Sequence, residues 1–282
     1  MSGHAISTAN ARALARRAMR PVSLRRQVRR LARSPEPAVQ RLADGMRDAA
    51  ADHFDLPTRS RFARIEALRD ELSASTERVE VHDFGAGLPT STRTAVEMVR
   101  GTVSSPAVGR LAATASLPPQ LGRLLHAVVA ATGARRGIEL GTCLGISAAY
   151  QAAALEDRDG AEFVTCEGAP ALAALAERNL ARLGLRRCRV VTGRFGDTLP
   201  ELAAGLAPLD YAFVDGHHDE RATIDYFELL RPSLATGAVV VFDDIRWSPG
   251  MERAWAAIRA APGLLAHAEL GRFGVVVTGP GR

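Results

Sequence analysis

The sequence predicts an α/β protein built on a doubly wound, mainly parallel sheet of seven strands, with a helical extension at its N-terminus. Three observations carry this. From residue 136 onward, short apolar runs alternate with helical segments. Those runs are nearly continuous in apolar residues, as strands covered on both faces are, rather than alternating polar with apolar. Several end in glycine or an acid, where an open parallel sheet forms its ligand crevice.

The predicted strands are 136–141, 162–167, 188–193, 209–215, 237–243 and 272–278, with a weaker seventh at 264–269. Helices at 147–155, 170–183 and 220–231 fall between them. Upstream, Val39, Leu42, Ala43 and Met46 share a helical face, and Phe62, Ile65, Leu68 and Leu72 recur at helical spacing after the "DLPTRS" break, giving two helices within 36–76. "VEVHDFGAGLPTST" then reads as a short strand entering a Gly/Pro turn. Its "DFGAG" resembles a cofactor loop in isolation but lacks a following strand that ends in an acid, so it reads as a substrate-side hairpin or turn. Helical stretches follow near 92–101 and 119–132. This divides the chain into a basic arm (1–34), a helical region (35–118) that supplies a lid, substrate contacts or a dimer surface, and a ligand-binding domain (119–282).

The chain has 282 residues and a formal charge of +5. All 36 basic residues are arginine; a lysine-based mechanism is excluded, and the composition fits a GC-rich bacterial genome. Nine of the arginines lie in residues 1–34, which contain no acid, while the remaining 27 face 31 acids, leaving residues 35–282 at −4. The basicity therefore belongs to the arm. After Pro21 the arm carries Leu24, Val28 and Leu31 at helical spacing, the pattern of a short basic amphipathic helix. It is read as a flexible tail, as a segment packed on its own domain or a partner subunit, or as a contact for nucleic acid or membrane. An Arg-rich, acid-free start also fits a mitochondrial presequence, which the bacterial composition disfavours. No window reaches the roughly 18 apolar residues of a membrane span. Cys143, Cys166 and Cys188 have neither disulfide-framework nor zinc spacing, which fits a reducing, cytoplasmic setting.

"GIELGTCLGISAAY" places Glu139, Gly141 and Gly145 at the exit of the first strand of the alternating region, where glycine lets the backbone turn and approach a ligand. The G-x-x-x-G spacing misses the dinucleotide fingerprint, and there is no phosphate-loop lysine. "AEFVTCEG" ends the next strand in Glu167, 22 residues past Gly145, where a carboxylate can accept hydrogen bonds from both ribose hydroxyls. In this order the sequence resembles the class I S-adenosylmethionine-dependent methyltransferases, whose fold is Rossmann-like. The resemblance covers about 119–278. It implies that Glu139, Gly141, Thr142, Gly145 and Ser147 contact the methionine part of the cofactor, Glu167 the ribose, and Gly193, Arg194 and Phe195 of "GRFGD" the adenine, with Asp215 also in the cofactor set.

"DYAFVDGHHDE" and "GAVVVFDDIRW" end two further strands, and parallel packing brings Asp215, Asp243 and Asp244 to one edge. Converging carboxylates repel unless a cation lies between them, and all-oxygen ligation suits Mg²⁺. The same residues also have plain roles, Asp215 closing a strand and Asp243 and Asp244 serving as turn or cap acids. The resemblance is closest to metal-dependent O-methyltransferases of the catechol type and of the bacterial macrolide-sugar type. It implies Mg²⁺ at Asp215, Asp243 and Asp244, and a general base three positions past the first acid, which is His218. His217 then shapes the site, and Trp247 either walls the acceptor or packs in the core.

The expected activity is S-adenosylmethionine- and Mg²⁺-dependent methyl transfer to a hydroxyl of a small molecule, a specialised metabolite or its sugar, by a homodimer. The competing readings are a nucleic-acid methyltransferase using the basic arm, disfavoured by the acidic remainder and the lack of a base-amino or Pro-Cys motif, and a cofactor-binding protein without transfer activity.

Overall fold

The computed structural model describes residues 21–88 and 91–280; the first 20 residues of the basic arm lie outside them. Eleven strands occur among the described residues. β1 (Val81–Asp83), β2 (Gly87–Leu88), β3 (Ser91–Thr92) and β4 (Thr102–Ser104) form two small antiparallel pairs, β1 with β4 and β2 with β3. β5 (Arg136–Leu140), β6 (Glu162–Glu167), β7 (Cys188–Thr192), β8 (Leu209–Val214), β9 (Leu234–Phe242), β10 (Leu264–Leu270) and β11 (Phe273–Thr278) form one seven-stranded sheet in the order β10-β11-β9-β8-β5-β6-β7. β5 through β9 pair in parallel, and β11 runs against both of its neighbours.

The expected seven strands are all present, and the Rossmann-like architecture holds. Three α-helices fall where the sequence marked none, the short Val108–Thr114 and two longer ones. Phe195–Gly205 contains Gly196 and an internal Pro200, so its start looks like a turn, yet Leu199 and Ala203 are buried on one face. Pro249–Arg259 starts with proline in its first turn and is capped by Ser248, whose hydroxyl accepts from the Met251 N–H at 3.2 Å.

Helices cover both faces of the sheet because alternate residues of its buried strands point to opposite sides. Ile138 and Leu140 of β5 and Val240 and Phe242 of β9 face Leu199, Phe227, Trp255 and Ile258. Val239 and Val241 face the other layer, where Leu121, Leu125, Val129 and Tyr150 meet the N-terminal helices through Val39, Leu42, Met46, Phe62 and Ile65. Helix Pro37–Ala50 approaches helix Pro119–Thr132 so closely that a side chain at Gly45 would meet the Ala131 Cβ at 2.5 Å. Helix Pro21–Leu31 buries Leu24, Val28 and Leu31, and Arg30 donates to the His267 carbonyl of β10. This part of the arm packs on its own domain.

The order of strands positions the site. From β5 the chain proceeds outward through β6 and β7, then crosses back to lay β8 along the other side of β5. Helices leave β5 and β8 toward opposite faces at this switch point, and a crevice opens beyond the strand ends. The β1–β4 segment caps that edge, with the Ala86 N–H donating to the His217 carbonyl at 2.7 Å.

Candidate active site

The loop after β5 is shaped by close backbone approach. Gly141 has φ +107°, and a Cβ there would lie 2.2 Å from the Asp215 carbonyl oxygen, so only glycine fits between the ends of β5 and β8. Gly145 has φ +81° and leads into helix Ile146–Ala153. Glu139 stands behind this loop: it is 0% exposed, and its two oxygens accept from Gln151 Nε2 at 2.7 Å and Thr165 Oγ1 at 2.6 Å. Burial pushes its carboxyl up to about 7, against the hydrogen bonds that favour the charged form. Thr142, 1% exposed, bonds Thr165 side chain to side chain at 2.6 Å. Glu139 and Thr142, expected from the sequence at the methionine part of the cofactor, lie in an internal network that holds the loop, and Ser147 is likewise buried.

Glu167 ends β6 on the open side. Its carboxylate accepts from the backbone N–H of Cys143 at 2.8 Å and of Ala169 at 2.9 Å, which fixes its direction across the glycine loop. Burial raises its pKa, with the backbone donors opposing. After β7, the Gly193 N–H donates to the Glu167 carbonyl at 2.9 Å, and Phe195 packs in T-shaped geometry on His217 with centroids 5.8 Å apart. Arg194 lies over the Phe84 ring and donates to the Val99 carbonyl. The "DFGAG" stretch, read from sequence as a substrate-side turn, therefore reaches the turn after β7 through Phe84.

Parallel pairing carries the acids to one place. The Asp215 N–H donates to the Leu140 carbonyl and the Asp243 N–H to the Val214 carbonyl, each at 2.9 Å, so the two acids end neighbouring strands in register. His217, His218 and Asp244 all have positive φ, at 62°, 49° and 50°, conformations that cost non-glycine residues and concentrate at functional sites. His218 Nε2 lies 3.8 Å from Asp215 Oδ1, and its ring is 5.8 Å from that of Trp247. Burial holds the His218 imidazole below its ordinary value, so it is neutral at working pH, as a base must be. His217 turns away, its Nδ1 2.7 Å from the Tyr226 hydroxyl.

The donor chemistry of Asp215, Asp243 and Asp244 suits a hard cation, but their arrangement does not. Among the described residues, no group of three or more His, Cys, Asp and Glu side chains is placed to hold a metal ion. Arg272, just before β11, lies among these acids: its Nε is 2.5 Å from Asp243 Oδ1 and its Nη2 2.8 Å from Asp244 Oδ2. Asp215 has a carboxyl pKa well above the usual range, by burial first and the neighbouring Asp243 charge second. Asp243 Oδ2 is buried with no partner, and a proton on Asp215 would give it one. Nothing in the sequence pattern marked Arg272, because a lone arginine in a hairpin turn carries no periodic or motif signal.

Residues 138–245 match the family described as a methyltransferase domain. With the sheet order and the crevice between β5 and β8, this makes the region similar to the class I S-adenosylmethionine-dependent methyltransferase domains. It is 32% identical over 132 residues to a catechol O-methyltransferase of Niastella koreensis, covering 46% of this chain and 58% of that protein. It is 35% identical over 127 residues to a catechol O-methyltransferase of Mycobacterium tuberculosis, covering 45% and 55%. The chain thus spans somewhat more than half the length of these curated relatives. The O-methyltransferase from Bacillus cereus, solved in complex with SAH, aligns with a TM-score of 0.50 at 26% identity, covering 58% of this chain and 83% of that one. No helix among the described residues is long and apolar enough to cross a membrane.

Proposed function

We propose that this chain transfers the methyl group of S-adenosylmethionine to a hydroxyl of a small molecule, with His218 as the general base. The observation that supports this most is the seat of the His218 imidazole, 3.8 Å from Asp215, at the crevice that Gly141 and Glu167 border. S-adenosylmethionine supplies a methyl group already activated on a sulfonium, so the protein's work is positioning and control of charge. Glu167, its carboxylate aimed by two backbone donors, accepts from the ribose hydroxyls. The loop at Gly141 and Gly145 admits the methionine part, and Gly193, Arg194 and Phe195 border the adenine. His218 takes the proton of the acceptor hydroxyl as its oxygen bonds the methyl carbon and the carbon–sulfur bond breaks. Trp247, its ring tilted against that of His218, walls the acceptor.

The names of the curated relatives make catechol the first acceptor to try, with hydroxyls of specialised metabolites and their sugars next. The reading extends to a cytoplasmic homodimer; the free thiols of Cys143, Cys166 and Cys188 agree with a reducing setting, and Val96, Val99 and Val103 leave an apolar patch exposed on the cap. These steps draw on the chain's own residues, and Arg272 engages two of the three acids at which Mg²⁺ is expected. Calorimetry with S-adenosylmethionine, followed by transfer of its labelled methyl group to a hydroxyl panel headed by catechol, tests the proposal. Absence of cofactor binding sinks it; binding without transfer leaves a cofactor-binding protein, and methylation of RNA in its place revives the nucleic-acid reading.

A further inference from the structure

The carboxylates at the ends of β8 and β9 are compensated from within the chain. Arg272 reaches both acids of the pair after β9, and its side chain is 26% exposed against 0% for Asp243 and 13% for Asp244. Its backbone is tied to the same loop: the Ile245 N–H donates to the Arg272 carbonyl at 3.1 Å. Both ends of the residue are therefore anchored to the stretch that carries the acids. Asp243 Oδ1 is engaged twice, by Arg272 Nε at 2.5 Å and by the Asp244 N–H at 2.6 Å. Asp244 commits Oδ2 to the guanidinium.

A divalent ion would have to share these carboxylates with the guanidinium, leaving it oxygens such as the unpartnered Asp243 Oδ2. Mg²⁺ demands near-octahedral oxygen ligation at about 2.0–2.1 Å, and a fixed positive charge on two of the three acids opposes the approach of a second cation. A guanidinium offers five donors in a planar fork and stays charged at any working pH, so it neutralises carboxylates without a metal. A positive charge at this edge also favours a deprotonated acceptor oxygen.

We propose that Arg272 is the resident cation of this site, standing where the sequence pattern assigns Mg²⁺, so that methyl transfer by this chain requires no divalent ion. The inference rests on the O-methyltransferase reading above and deepens it. It makes this chain differ from the metal-dependent enzymes its motif resembles, through one residue outside that motif.

The test uses the full chain, dialysed against EDTA, with Mn²⁺ as the probe and uptake followed by loss of the free-ion electron paramagnetic resonance signal, with and without S-adenosylmethionine. The wild type is expected to take up no stoichiometric Mn²⁺ at submillimolar concentration. Arg272→Gln, which removes the charge, should take up one ion per chain at least tenfold more tightly, and Arg272→Lys should behave as the wild type. Catechol methylation, if present, should change less than twofold when EDTA is added. Tight uptake of one Mn²⁺ by the wild type, or no gain in Arg272→Gln whose circular dichroism is native, overturns the inference. The wild-type titration needs no variant to fold. Failure of S-adenosylmethionine to bind strikes the functional reading instead, and the metal titration separates the two.

Discussion

The guanidinium of Arg194 lies over the ring of Phe84, 4.5 Å from Cζ to centroid, joining the cap to the turn after β7. Phe84 also packs against the backbone at Gly168, where a Cβ would stand 3.2 Å from its ring, one residue past Glu167, the acid proposed to bind the ribose. The cap is thus fastened over the ends of β6 and β7, on the side of the crevice proposed to hold the cofactor. Phe84→Ala should weaken S-adenosylmethionine binding several-fold by calorimetry while leaving the melting temperature within a few degrees. A double-mutant cycle with Arg194→Ala should show coupling of about 0.5–1 kcal/mol, the ordinary range of an exposed cation–π contact; additive effects would refute the link.

Gly141→Ala should abolish cofactor binding. The added Cβ meets the Asp215 carbonyl at 2.2 Å, and the φ of +107° is strained for alanine, so β5 and β8 must separate at the crevice. Gly133→Ala serves as the control, because its φ of +69° carries a comparable conformational penalty with nothing within 4 Å of the new Cβ. Calorimetry with melting curves distinguishes the two: Gly133→Ala should lose stability but keep affinity.

His218→Ala should lower kcat by about 10²–10⁴, the usual contribution of a positioned base, with the dissociation constant for S-adenosylmethionine unchanged within about twofold. His217→Ala should act differently. It removes the contact with Tyr226 at 2.7 Å and the packing on Phe195, and is expected to raise KM and lower the melting temperature with a smaller loss of kcat. Equal kcat losses in the two variants would remove the base assignment.

Stability should fall in mild acid because of His126, far from the crevice. It is 5% exposed, packs on Phe62 with centroids 4.8 Å apart, and bonds the Tyr150 carbonyl through Nδ1 at 3.1 Å. Burial holds its pKa down at about 4. Between that value and about 6.5 the unfolded chain binds a proton that the folded chain refuses, so stability rises with pH through this window and is lost as pH falls. The slope approaches about 1.4 kcal/mol per pH unit for this one group. Urea unfolding between pH 4.5 and 7.5 should show that much less slope in His126→Gln; identical slopes would contradict it.

What the sequence determined by itself is whatever depends on local order along the chain. Continuous apolar runs of strand length, bounded by turn residues, read as strands buried on both faces, and their alternation with helices permits few topologies, so the seven-stranded sheet and its crevice were legible. The register of a parallel sheet then places residues that end adjacent strands side by side, which is why Asp215 and Asp243 could be brought together from spacing alone. Helix Phe195–Gly205 was not legible, because Gly196 and Pro200 are local turn signals that the burial of Leu199 and Ala203 overrides. Tertiary structure alone decided which side chains are enclosed and which charges meet. It turned Glu139 inward to Gln151 and Thr165, brought Phe84 from a separate segment to Arg194, and set Arg272 between Asp243 and Asp244. The physical reason is common to all three: electrostatic and packing partners are chosen by distance in space, and residues 12 to 110 positions apart have no shared period or motif through which the chain could announce them.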